Sequence, residues 1–373
     1  MKKTLVALAA LAATGVFAQS SLTVFGTADA GLAIGNGDTA NRISLRNSGL
    51  ASSALGFRGV EDLGGGMKAS FHLEGSALTD DGQGSATNVN NQAVGAFVPA
   101  TGANSPVTAG TQGFTFGRRA YVALGGGWGE VRLGREYTPH FWNYTFYDPF
   151  GTNGVGTTLA LAYSAGDSTQ VRASNMINYV GNFAGFGVNL MTYFGEQASN
   201  VVTTAITNSN SAGTGASMRL SYDNGPISVG LALGQTTIGS AATHRVKYTN
   251  LGASYNMGFM SVMGNWVRES NDMTVGTTAD GTAWTLGVTA PMGSGTLKGS
   301  LSHRETNAAG SPGHNQFALG YVYGLSKRTQ VYATLASRTG TGTPAAAATS
   351  LNGSVGTANS TATGMDLGVR HSF

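Results

Sequence analysis

Residues 361–373 read TATGMDLGVRHSF, and the parity of this stretch decides the fold. Met365, Leu367, Val369 and Phe373 share one parity, broken only by His371, while Gly364, Asp366, Gly368, Arg370 and Ser372 share the other. In extended chain the two sets project from opposite faces of a sheet. One face is apolar and the other carries charge and glycine, as expected of a strand lying between hydrocarbon and water.

Working outward from this stretch, the same alternation recurs in segments of about 10 to 14 residues, joined by two kinds of connection that themselves alternate. Short, turn-like connections are EDLGGGM (61–67), LGGGWGEV (124–131), NFAGFG (182–187), YDNGPI (222–227), YNMGFM (255–260), PMGSGT (291–296) and GLSKRT (324–329). Their Gly, Asn-Gly and Asp-Asn steps are hairpin signals. Long polar connections lie at 35–48, 78–113, 137–170, 196–213, 239–243, 272–280, 306–313 and 340–361. Seven turns and eight loops are fifteen connections, hence sixteen strands. An even strand number with short turns on one rim and long loops on the other predicts an all-β, antiparallel transmembrane barrel.

Composition agrees. Charged residues are 10% of the chain, against about 25% in a soluble domain, and 57 residues are glycine. Mean hydropathy is only −0.02, and beyond residue 18 no run approaches the roughly 20 apolar residues a spanning helix needs. Any membrane crossing is therefore made by strands, and closure into a barrel is what pairs every backbone amide in hydrocarbon. Sixteen strands leave a wet lumen rather than a packed core. There is no cysteine, so no disulfide framework.

The first residues, MKK followed by TLVALAALAATG and VFA, have the basic, apolar and small-residue segments of a secretory signal. Residues 1–18 are expected to be removed, leaving 19–373 as the barrel domain. Loss of Lys2 and Lys3 lowers the formal charge from +3 to +1, and no nucleic-acid partner is implied. The six histidines, His72, His140, His244, His303, His314 and His371, stand in no metal-ligand spacing. Neither G-x-S-x-G nor H-E-x-x-H is present, and the glycine runs GGGWGE and GSGTLKG fit turns. A channel without enzymatic activity or cofactor is expected.

Five segments, LGFRGVEDLGGGMKASFHLEG (55–75), FTFGRRAYVALGGGWGEVRLGRE (114–136), VRASNMINY (171–179), GASYNMG (252–258) and LGYVYGLSKRTQVYA (319–333), resemble the general bacterial porins of Gram-negative outer membranes. With the opening SSLTVFGTADAG and the closing GVRHSF, the likeness spans the mature chain and is greatest to the beta-proteobacterial, anion-selective branch. The resemblance implies a homotrimer of sixteen-stranded barrels. Each would be a water-filled diffusion channel for small hydrophilic solutes and inorganic ions, narrowed by a third external loop folded inward. It also implies contact with outer-membrane lipid and lipopolysaccharide, and reading of the terminal Phe373 by the outer-membrane assembly machinery.

In the resembled family basic residues on the second, fourth and sixth strands face acidic residues on the third loop. The fourth-strand position falls on Arg118 or Arg119 and the sixth on Arg172; the second falls on Ala54, leaving Arg58 as the nearest basic group on that strand. Asp148 in YDPFGTNG is the expected acidic side, with Phe150 and Tyr147 anchoring the loop. Arg132, Arg135, Arg338 and Arg370 are expected at the rims. The aromatics of HFWNYTFYDPF, Trp142, Tyr144, Phe146 and Tyr147, leave open an alternative, a channel specific for sugars or organic anions.

Overall fold

A computed structural model describes residues 21–85, 87, 91, 96–98, 103–105, 113–162, 169–196, 202–203, 206–207, 211–238, 245–271, 280–342 and 349–373. The expected signal segment, residues 1–18, lies outside the described residues. The barrel strands are β1 (Ser21–Asn36), β2 (in two pieces, Arg42–Asn47 and Ala54–Gly64), β3 (Met67–Ser76), β4 (Arg119–Gly126), β5 (Gly129–Tyr137), β6 (Arg172–Phe183), β7 (Phe186–Tyr193) and β8 (Gly215–Asn224). They continue as β9 (Ile227–Thr237), β10 (Arg245–Asn256), β11 (Ser261–Asn271), β12 (Gly281–Met292), β13 (Gly295–Thr306), β14 (Gly313–Gly324), β15 (Thr329–Thr341) and β16 (Thr361–Ser372). Each pairs antiparallel with its sequence neighbour, and β16 returns to β1 with Thr27 opposite Ser372 and Asn36 opposite Thr363. The sheet is a closed barrel of sixteen strands.

Parity behaves as the closing stretch predicts. Leu367 and Val369 are exposed on the outer wall, whereas Asp366 is fully buried on the inner one. Exposed Val122, Leu133, Leu190, Leu231, Leu251, Leu286, Leu301 and Leu335 continue the outer apolar surface around the barrel. So much contiguous exposed hydrocarbon belongs in lipid rather than water. Exposed Trp128, Phe183, Phe186, Tyr255, Phe259 and Tyr323 lie beside the short turns, a girdle at one interface. Those turns depend on glycine: Gly65 and Gly66 in the first adopt φ of +61° and +80°, where a Cβ is disfavoured. No described helix is long and apolar enough to cross a membrane.

The first loop is shorter than expected. β1 runs to Asn36 and β2 begins at Arg42, so residues 42–47 of the anticipated 35–48 loop form strand. The ladder instead breaks at 48–53, between the two pieces of β2. There the buried Asp29 carboxylate accepts the backbone N–H groups of Gly49 (3.3 Å), Leu50 (2.7 Å) and Ala51 (2.7 Å), with the Tyr332 hydroxyl donating at 2.7 Å. The three amides are bound by a carboxylate in place of a neighbouring strand. Polar residues in RISLRN hide strand character that pairing with β1 supplies.

Candidate functional site: the constriction

The segment between β5 and β6 folds into the barrel. It opens with α1 (Pro139–Phe146), started by a proline in the first helical turn, where its missing N–H costs nothing. It continues through the tip at 147–156 to α2 (Leu159–Ala162). α1 packs against the inner faces of β8, β9 and β10. The His140 ring stacks on Tyr248 at 4.6 Å, and its Nδ1 lies 3.0 Å from Ser217 Oγ. Asn143 Nδ2 donates to Asn250 Oδ1 at 2.8 Å and to the Gly230 carbonyl at 3.1 Å. Tyr144 hydrogen-bonds Thr158 within the loop. Further round, the Val155 N–H reaches Asp366 at 2.6 Å, Gln316 Nε2 reaches the Thr157 carbonyl at 3.0 Å and Arg304 reaches the Leu161 carbonyl at 2.6 Å.

The inner wall makes room for this loop with strand glycines. A side chain at Gly252 would collide with the Tyr147 ring, at Gly287 with Pro149, at Gly320 with Phe150 and at Gly364 with Val155. Gly230 and Gly234 do the same for Asn143 and His140. Tyr147 and Phe150 are buried against this belt. The loop thus covers the wall from β8 to β16, touches the break in β2 where Ser52 Oγ donates to Asn153 Oδ1 at 2.9 Å, and leaves the wall from β3 to β6 facing the passage.

Basic groups cluster on that opposite wall. Arg118 Nε donates to Glu74 Oε1 at 2.5 Å and its terminal nitrogen to the Tyr137 hydroxyl at 2.5 Å; Arg172 donates to the same hydroxyl at 2.9 Å. Arg119 Nε is 3.0 Å from Glu136 Oε1, and Arg132 reaches Glu136 Oε2 at 3.0 Å. The guanidinium carbons of Arg118, Arg119 and Arg172 lie 5.8, 5.0 and 4.4 Å from the centre of the Tyr137 ring, and Arg119 also lies 5.1 Å from Trp142. Both members of the Arg118/Arg119 pair reach the cluster because Arg118 precedes the regular strand that starts at Arg119.

Arg58 stands apart. It is paired with His72, one rung nearer the short turn than Glu74, and its guanidinium lies 5.2 Å from Phe25. Another basic group of β2, Arg46, which sequence reasoning passed over, is paired with Asp366 at 3.2 Å. The anticipated rim residues divide. Arg370 and Arg338 point inward to Gln330 and Gln316, and Arg135 holds the Gly117 carbonyl and Ser174 Oγ.

Asp148 does not face the arginines. It is buried in the loop tip, where its two oxygens accept the N–H groups of Phe150 at 2.9 Å and Thr152 at 3.0 Å. The carboxylates beside the arginines are Glu74 and Glu136, on the same wall. Burial pushes the Asp148 carboxyl up to about 6, against the pull of those amides. Its folded pKa therefore exceeds the ordinary value of 3.8, so docking is favoured at low pH and loses about 3 kcal/mol as pH rises from about 4 through about 6. Open-channel noise from loop motion is expected to increase over that window. Asp148→Asn should flatten the pH dependence, and a variant retaining it would show that another group is responsible.

A closed, lipid-facing barrel with an internal loop opposite a charged wall defines a membrane channel that crosses by strands. The chain belongs to the Gram-negative porin family, whose sequence model matches residues 4–343. It is 37% identical to outer membrane porin protein 32 of Delftia acidovorans over the whole of both chains, and 27% identical to an outer membrane porin protein of Bordetella pertussis across 89% of this chain and 93% of that one. Among solved structures it is similar to the anion-selective porin from Comamonas acidovorans, with a TM-score of 0.77 and 33% identity over 95% of this chain and 100% of that one. It is an outer-membrane protein of the general diffusion class, a family and fold of channels.

Proposed function

We propose that this porin prefers anions and that Arg118, Arg119 and Arg172 carry the preference. The observation behind this reading is that three guanidiniums converge on one tyrosine ring beside Glu74 and Glu136, with Arg132 a further basic partner of Glu136. Fixed charges act over a Debye length of about 8 Å at physiological salt, enough to span much of a constriction. A surface carrying an excess of one sign concentrates counter-ions. The anion-selective porin from Comamonas acidovorans supports the same direction. Arg58 adds positive potential on the side of the short turns, and Asp148 holds the loop in shape.

The working unit is a homotrimer without enzymatic activity. It forms after removal of residues 1–18, sits among outer-membrane lipid and lipopolysaccharide, and passes small hydrophilic solutes and inorganic ions. Phe373, whose N–H and carbonyl pair with Gly26 at the girdle rim, is the residue the assembly machinery reads. Purified protein in a planar bilayer under a potassium chloride gradient should give three equal conductance steps per insertion and a zero-current potential of anion-selective sign. A potassium-selective channel or single-step insertions would refute the respective parts.

A further inference from the structure

The side of α1 turned away from the wall carries an apolar surface that ion conduction leaves unexplained. Trp142 and Phe146, four residues apart, share one helix face. Phe146 is 59% exposed although it lies inside the barrel, while its neighbours Tyr144 and Tyr147 are buried as anchors. Each end of this aromatic pair meets an arginine: Arg119 is 5.1 Å from the Trp142 ring and Arg219, from β8, is 5.1 Å from the Phe146 ring. Arg219 is held in place by Asn143 Oδ1 at 2.9 Å and Ser221 Oγ at 3.1 Å. The order along the loop is thus Arg172 and Arg119 on Tyr137, then Trp142, then Phe146, then Arg219.

Exposing an aromatic face to water in a passage is unfavourable unless something covers it. A chloride or phosphate ion cannot. A planar apolar group attached to an anion can, because its ring lies on Phe146 or Trp142 while its charge stays within reach of a guanidinium at either end. We infer that the α1 face is a binding track for aromatic carboxylates, with the carboxylate passing from the Arg119 end to Arg219 while the ring remains on the two aromatic side chains. This deepens the anion-channel reading by naming a class of solute, and the two are separable, since the potassium chloride potential tests selectivity and not the track.

The test uses the full-length protein in planar bilayers, with benzoate as probe and acetate as the reference carboxylate. The dissociation constant of each is read from concentration-dependent reduction of chloride current. A stacking contact predicts that the wild-type channel holds benzoate roughly threefold or more tighter than acetate. In Phe146→Ala the ratio of the two constants should fall to about one, and because both are measured in the same channels, a change in pore width cancels. Phe146→Trp should restore the preference, and Phe146→Leu, which keeps bulk without a ring, should not; this pair serves should the alanine variant fail to yield a heat-resistant oligomer. Equal affinity for the two acids in the wild-type channel, or a ratio unaltered by Phe146→Ala or Phe146→Leu, overturns the inference.

Discussion

Single-channel conductance should rise sharply when Gly252 is replaced by valine. The position lies on the inner face of β10, and any Cβ there enters the space of the Tyr147 ring. Valine suits a strand, so the barrel itself is expected to close normally. The cost falls on the docked loop. Forcing extra atoms into a packed contact costs about 1–3 kcal/mol, which raises the undocked fraction by about 5-fold to 160-fold. Undocking frees the segment carrying Trp142, Phe146 and the Asp148 tip from the wall and widens the passage. Deleting residues 142–155 should produce the larger increase, since that removes the obstruction rather than loosening it. Conductance unchanged in both variants would mean that the loop does not limit the current.

A second large effect is expected from replacing Arg118 and Arg172 together with glutamine. Around Tyr137 the guanidiniums of Arg118, Arg119 and Arg172, with Arg132 also on Glu136, face the carboxylates of Glu74 and Glu136, a local excess of positive charge. The double variant leaves Arg119 and Arg132 against the two carboxylates, so the local positive excess is cancelled. The zero-current potential in a salt gradient should therefore move toward cation preference, most clearly at low salt where the Debye length is longest. The geometry sharpens this, because Arg118 is the partner that neutralises Glu74 at 2.5 Å. Arg58→Gln, one rung away on Phe25, should produce a smaller shift of the same sign. A potential that does not move in the double variant would remove these arginines from the selective zone.

The acidic side of the constriction shows where residue pattern stops being informative. Asp148 in YDPFGTNG has the composition of a loop-tip acid, yet its oxygens are taken by the amides of Phe150 and Thr152. Nothing in the linear order distinguishes a carboxylate that closes its own turn from one that faces a distant wall. Glu74 and Glu136 did leave a signal. Glu74 shares parity with His72 on β3, and Glu136 stands four residues after Arg132 on β5, so both could have been placed on the inner face. What parity could not supply was their partners, since Glu74 meets Arg118 across 44 residues of sequence and Arg172 meets Tyr137 across 35.

The sequence by itself determined the number of strands, the rim on which each connection lies and the face on which residues of the regular strands project. These follow from local rules: a two-residue period, turn chemistry, and the need to pair every backbone amide in lipid. Only the tertiary structure decided that β2 is interrupted over Asp29, that the third loop seats on Gly230, Gly252, Gly287, Gly320 and Gly364, and that Phe146 is left exposed while Tyr144 and Tyr147 are buried. The physical reason is that these contacts join one loop to strands as far as 211 residues away, around a closed circumference. A glycine in a strand reads as a weak strand residue until the ring that occupies its missing side chain is brought against it.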